Sequence, residues 1–349
     1  MPTLFEVNDV DRRIYEEELR NFLPDRIIDI HTHVWRDADK IHSPDDFKRI
    51  VSWPARVAKD NSIEDLLETY RLMFPGKSVI PLMFSSLGLY DDAERMNSYV
   101  SECAKAKGYP ALLFARPEWT GEEVESKIIR GGFIGVKVYL TFAPAYIPQN
   151  EIRIFDFLPQ HQLHALNRSA RIVMLHIPRD GRLRDPVNIE QMLEIERNFP
   201  HIKLIIAHVG RAYCNEDVGD AFERLKQTKN MIFDTSANTN DQVFEKLLAT
   251  FGPDRVAFGS DLPITRMRMR RICEGGRYIN IVPKGLYGDV SGDPNMREVD
   301  GSEANALTTF MYEEIRALKI ACIRRGIDKS GIEAIFYGTA NRVLKGSAL

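Results

Sequence analysis

Short apolar runs alternate with charged, amphipathic stretches along most of the chain. The runs fall at about 26–31, 78–84, 111–115, 133–139, 171–176, 202–208, 231–236 and 255–261. Each is rich in Val, Ile, Leu, Met or Phe, as expected of parallel strands buried on both faces. Between them, 63–74, 91–107, 121–130, 157–168, 189–199, 218–228 and 241–251 carry apolar residues at helical spacing. Ser62 stands where an N-cap is needed ahead of Glu64 and Asp65, and Gly108 and Gly131-Gly132 stop helices. Eight strand-then-helix units are the count of a closed (β/α)8 barrel, the TIM barrel. An open doubly wound sheet usually has fewer strands and a glycine-rich first turn. No G-x-G-x-x-G follows the first run, and the pattern predicts an α/β chain of the barrel kind.

Residues 1–349 read as one domain: a barrel core at about 26–262, a capping loop at about 263–303 and closing helices at about 304–345. A leading helix is predicted over 7–23, ended by Pro24, and tail helices over 308–325 and 332–344. Three connections are long for a compact domain: 34–61, which carries Trp35, Arg36, His42 and Trp53; the proline-rich 141–156; and 262–303, rich in Gly and Pro. Loops of this length are usually functional or disordered. All three follow strands, on the C-terminal face where barrels place their sites.

The residues that end the apolar runs are polar in a consistent way. The first ends in His31 and His33, the fourth carries Lys137, the fifth ends in His176, the sixth in His208 and the eighth in Asp261. The chain has eight histidines, and four of them stand at strand ends. Neutral imidazoles with one carboxylate form a sensible first shell for a divalent ion such as zinc, iron, nickel or cobalt, with room left for water. Taken singly, each residue has a plainer reading: a satisfied buried histidine, or Asp261 as a helix cap. Their joint placement is what points to a metal site.

Composition narrows the partners. A net charge of -3, with 44% hydrophobic and 28% charged residues, supplies no basic face for nucleic acid. No stretch approaches the roughly 18 apolar residues of a membrane span, and the N-terminus lacks the pattern of a signal peptide. Cys103, Cys214, Cys273 and Cys322 are scattered without C-x-x-C spacing, so no disulfide framework is expected and a cytoplasmic location is the default. Arg179 and Arg211 follow the fifth and sixth strands, and Arg266, Arg268, Arg270 and Arg271 open the eighth loop. The guanidinium fork suits carboxylates, so a small anionic substrate is expected, although a solvated charge run is an equal reading for the eighth-loop tract. Tyr139, Trp35 and Ser236 are further candidates for the pocket wall.

In order, Ile-Asp-Ile-His-Thr-His, Gly-Val-Lys-Val-Tyr, Met-Leu-His-Ile-Pro, Ile-Ala-His-Val-Gly and Phe-Gly-Ser-Asp-Leu-Pro resemble the amidohydrolase superfamily. The nearest branch is the amidohydrolase-related one that includes aminocarboxymuconate-semialdehyde decarboxylase-like enzymes. The resemblance runs from about 26 to 261, and Phe-Tyr-Gly-Thr-Ala-Asn-Arg-Val-Leu near the end is also similar. It implies that His31, His33, His176 and Asp261 hold one divalent ion, with zinc favoured. Asp261 would move the proton of an attacking water, and His208 would act as acid, base or second ligand. Lys137 stands where binuclear relatives carry a carbamylated lysine; here an unmodified lysine touching substrate is favoured. Tyr139, Arg179, Arg211, Arg266 and Trp35 are the expected substrate contacts. The implied activity is hydrolysis of a small, carboxylated amide or lactone. The alternatives are non-oxidative decarboxylation and, from another class, a non-catalytic metal- or ligand-binding barrel. Pairing into a homodimer through the apolar tail helix is expected by analogy.

Overall fold

The computed structural model describes residues 4–41, 49 and 54–346; His42 and Trp53 lie outside them. All eight expected strands form: β1 (Arg26–His33), β2 (Ser78–Phe84), β3 (Leu113–Phe114), β4 (Gly135–Val138), β5 (Ile172–Leu175), β6 (Lys203–Ile206), β7 (Ile232–Asp234) and β8 (Val256–Ala257). β3 to β8 pair in order as one parallel sheet, and β1 pairs in parallel with β2. Two parallel bridges close the ring, Met83 to Ala111 and Thr32 to Leu262. The Ile30 amide also donates to Phe258 O at 3.0 Å and the Leu112 amide to Met83 O at 2.8 Å.

Strand alternation divides two cores. Ile28, Ile30, Leu82, Leu112, Ile172, Met174, Ile205 and Ile232 fill the barrel, with Ala340 and Val343 of the tail packed among them. Val136, Val138, Val173, Leu175, Leu204, Ile206 and Phe233 face the helices instead. Because side chains alternate along a strand, Lys137, His176 and Asp234 continue the inward series of β4, β5 and β7. Sequence order alone therefore aims these three into the mouth of the barrel. β1 departs from simple alternation: its register against β2 shifts between Asp29 and Thr32, the kind of irregularity that re-aims side chains near sites.

The helices start and stop much as predicted. Ser62 and Thr120 each form a capping box, and Gly108 and Gly132 close their helices in the left-handed conformation. The helix after β5 begins three residues before the predicted 189, because Asp185 caps it and Pro186 occupies its first position. The leading segment is shorter than expected, an α-helix over Asp9–Ile14 running into a π-helical turn over Tyr15–Leu19. The tail has Phe310–Arg324 as one helix, followed by Lys329–Glu333 and Thr339–Lys345 joined through a π-helical turn.

Two expectations need correction. The capping segment is not an unstructured loop: β9 (Arg270–Glu274), β10 (Arg277–Pro283) and β11 (Met296–Val299) form a small sheet. Its hairpin turn is Gly275-Gly276, both at positive φ, a turn signal that the surrounding Gly and Pro obscured. Cys214 and Cys273 are disulfide-bonded, with Cα atoms 5.9 Å apart and a sequence separation of 59, while Cys103 and Cys322 are free and buried. Spacing rules examine cysteines close in sequence; these two meet because the cap folds back over the loop after β6. No helix among the described residues is long and apolar enough to cross a membrane.

Candidate active site

The polar strand ends converge at the C-terminal mouth of the barrel. The rings of His31 and His33 lie 5.5 Å apart, those of His31 and His208 4.8 Å, and those of His208 and His176 5.2 Å. Nε2 of His33 and of His31 stand 3.3 and 3.4 Å from the same oxygen of Asp261. His31, His208 and Asp261 form the tightest group, their ligand atoms all within 4.8 Å of one another. His176 joins through His208, and its Nδ1 is buried without a hydrogen-bond partner.

Local backbone makes this convergence possible. His208, Val209, Gly210 and Arg211 all have positive φ, and so does Asp261 at 58°. Such conformations cost on the order of 1–3 kcal/mol each for residues other than glycine and cluster at functional sites. A Cβ on Gly210 would lie 2.6 Å from Leu183 Cδ1, and one on Gly259 would lie 2.8 Å from His31 Cβ. Gly259 is required by close approach, directly beneath a site histidine, and Gly210 by its φ of 63°.

Hydrogen bonds fix which ring nitrogen is free. His33 Nδ1 lies 2.9 Å from Ser85 O, which only accepts, so Nδ1 carries the proton. His208 Nδ1 donates to Ser236 O at 3.1 Å or to Ser236 Oγ at 2.9 Å, the hydroxyl itself donating to Asp234. His31 Nδ1 donates to Asp234 Oδ2 at 2.8 Å. Burial lowers the pKa of His31, His176 and His208, so these rings are neutral with one proton each. With Nδ1 as the donor, Nε2 of His31, His33 and His208 presents its lone pair. Two bare nitrogens facing one carboxylate oxygen at 3.3–3.4 Å repel unless a cation lies between them. The donor set, imidazoles and a carboxylate, and the orphaned His176 nitrogen both fit a divalent transition ion.

Above the cluster is a cavity of about 750 Å³, lined by the site histidines and by Trp35, Lys137, Tyr139, Arg211, Tyr213, Asp261, Arg271 and Tyr278 among others. This is the size of a small-molecule pocket. Lys137 is 1% exposed, and burial, only partly offset by Asp234 and Asp261, pulls its pKa down to about 8.

The amidohydrolase family model, Amidohydro_2, matches residues 28–273. The chain belongs to the amidohydrolase family. Solved amidohydrolase-fold structures cover nearly the whole chain at low identity. A probable 2-pyrone-4,6-dicarboxylic acid hydrolase from Acinetobacter baumannii, with citric acid bound, is 14% identical with a TM-score of 0.56, covering 91% of this chain and 99% of its own. An amidohydrolase from Burkholderia multivorans with bound zinc is 13% identical, with a TM-score of 0.53 and the same coverage. A dihydroxybenzoic acid decarboxylase from Polaromonas sp. JS666, with manganese and the inhibitor 2-nitroresorcinol, is 15% identical, with a TM-score of 0.51, covering 92% and 97%. No match was found among curated proteins.

In this amidohydrolase the structure brings His31, His33, His176, His208, Asp261, Lys137, Tyr139, Arg211 and Trp35 to one cavity. The Tyr139 ring lies tilted against that of His176, 4.6 Å between centroids, and the Trp35 indole is anchored by a 2.8 Å bond to Lys59 O. Two expected substrate contacts lie elsewhere. Arg179 turns to Asp185 at 3.1 Å, and Arg266 is buried against Asn61 and the Asp65 carbonyl. Both are engaged by neighbours in the chain, which proximity to a strand end in sequence does not reveal.

Asp234 was missed by the sequence reading. It is fully buried, accepts from the His208 amide at 2.8 Å and holds the His31 tautomer. Its position in the inward series of β7 was the available signal. Asp234→Asn is expected to weaken metal binding about 10- to 100-fold, because an amide no longer fixes the His31 proton on Nδ1. Competition with a chromogenic chelator measures this; unchanged affinity would remove Asp234 from the site.

Proposed function

We propose that this amidohydrolase is a metal-dependent hydrolase of a small, carboxylated amide or lactone, with one zinc ion held by His31, His33, His176 and Asp261. The observation that carries this reading is the pair of bare imidazole nitrogens aimed at a single Asp261 oxygen, at the floor of a small-molecule cavity. An ion bound there would polarise the scissile carbonyl and acidify water.

The chain's own residues supply the rest of the chemistry. Asp261 takes the proton of the attacking water and returns it to the leaving group. His208, neutral and anchored through Nδ1, presents Nε2 to the reacting atoms as a hydrogen-bond acceptor or base. Arg211, tied by one guanidinium nitrogen to Pro178 O at 2.9 Å, directs its remaining donors toward a substrate carboxylate. Lys137, unmodified, contributes a positive charge on the inner wall. A homodimer completes the proposal, supported by solvent-facing Ile320 and Ile323 on the tail helix.

The test is a screen of zinc- and manganese-loaded protein against carboxylated lactones, amides and aromatic acids. Ring opening or amide cleavage is followed by absorbance and carbon dioxide release by a coupled assay. Hydrolysis is the expected outcome. Carbon dioxide release without water uptake would overturn hydrolysis in favour of decarboxylation at the same residues.

A further inference from the structure

The hairpin β9–β10 carries four residues whose placement the metal chemistry does not explain. In its register Arg271 pairs with Asn280 and Cys273 with Tyr278, so period-two alternation puts all four side chains on one face. Arg271 is held there tightly. Its Nε donates to Asn280 Oδ1 at 2.8 Å and its Nη1 to Ala237 O at 2.6 Å. The guanidinium lies 4.7, 4.6 and 4.6 Å from the ring centroids of Tyr213, Tyr278 and Phe310. Among the described residues no carboxylate pairs with it, and it lines the cavity. The guanidinium is always charged and only partly exposed, so an anion entering the cavity meets a cation suited to a charge-assisted bond.

The cap sheet meets the barrel through apolar packing, with Val282 and Met296 clustered with Ala237 and Phe310, and through the Arg271 bond to Ala237 O. Its three strands pair only among themselves, so no backbone ladder of the sheet runs into the barrel. The covalent tie is Cys273 to Cys214, the residue after Tyr213. The disulfide thus fastens the Arg271–Tyr278 face against the Tyr213 wall, where the two tyrosine rings meet at 5.1 Å.

We propose that Arg271 is the specificity-determining anion anchor of this cavity, and that the Cys214–Cys273 disulfide holds it in place, so that opening the bond selectively weakens the binding of anionic ligands. This rests on the reading of the cavity as the substrate site. Opening by a phosphine balances as follows. Phosphorus attacks one sulfur and expels the other as thiolate; water then gives its oxygen to phosphorus and its two protons to the two sulfurs. The disulfide gains two electrons and the phosphine becomes its oxide.

The experiment is calorimetric titration of benzoate and of its neutral counterpart benzamide, into zinc-loaded and chelator-stripped protein. Four forms are compared: wild type, Arg271→Gln, Cys214→Ala/Cys273→Ala, and wild type opened with a phosphine. In stripped wild type, benzoate binds more tightly than benzamide. Arg271→Gln weakens benzoate about 10- to 100-fold, the worth of a charge-assisted hydrogen bond, and leaves benzamide within about twofold. Both disulfide-free forms lose benzoate affinity in the same selective way, and the phosphine-opened protein decides the point where the double variant does not fold. Wild type that binds the two probes equally, or Arg271→Gln that keeps its preference, overturns the anchor. Disulfide-free protein that keeps full benzoate affinity overturns the clamp. Failure of the metal reading leaves the stripped-protein comparison intact, so the two failures are distinguishable.

Discussion

Replacing Asp261 by Asn is expected to lower kcat/KM by about 10²- to 10⁴-fold, the range lost with a positioned acid–base group, while the melting temperature moves by only a few degrees. The activity loss follows from position. Asp261 is the carboxylate at which both imidazoles of the first strand converge, and in the proposed reaction it carries the proton from water to leaving group. The small stability effect follows from the backbone. Asp261 sits at φ 58°, a conformation that Asn adopts as readily as Asp. Its amide still donates to His31 O at 2.8 Å, and the side-chain volume is unchanged. Steady-state kinetics on the substrate found by screening, beside a thermal melt, measure both quantities. An Asp261→Asn protein that unfolds under native conditions would make the residue structural.

The second large effect is on metal content. His31→Ala/His33→Ala removes two of four proposed ligands, and apparent binding free energies of about 10–16 kcal/mol for four-ligand zinc sites imply that affinity falls by many orders of magnitude. The fold should persist at a cost. His31 is fully buried and donates to Asp234; removing that donor leaves a buried carboxylate oxygen without its partner, worth about 1–3 kcal/mol. His33 is less buried, and its loss removes its bond to Ser85 O and its ring contact with Phe84. Urea unfolding followed by circular dichroism measures the stability change. A double variant that retains metal as tightly as wild type would place the ion elsewhere.

The barrel and much of the site were legible because period-two alternation in a buried strand is a strict geometric rule. Ile172, Met174 and His176 read inward as a series, as do Gly135 and Lys137, and the same rule would have exposed Asp234 after Ile232. The His31–His33 pair was legible for a weaker reason, since the register of β1 shifts beneath it and simple alternation does not place both rings. What remained hidden depends on contacts distant in sequence. Arg266 and Arg271 lie five residues apart in one basic tract, yet one is spent on Asn61 and the other faces the cavity. The choice is made by the β9–β10 hairpin, whose strands are short and sit among Gly and Pro. The Cys214–Cys273 bond is hidden for the same reason. Likewise Arg179 is captured by Asp185, which also caps the following helix, a double use that local patterns cannot show.

The most direct test of the central claim is elemental analysis of the protein purified without chelator and again after incubation with zinc or manganese, using His31→Ala/His33→Ala as the control. The account predicts about one transition-metal ion per chain in the wild type and close to none in the variant. A wild-type protein that stays metal-free after incubation, or a variant that binds the ion equally well, would contradict it and leave the histidines to act as acids, bases or hydrogen-bond donors on their own.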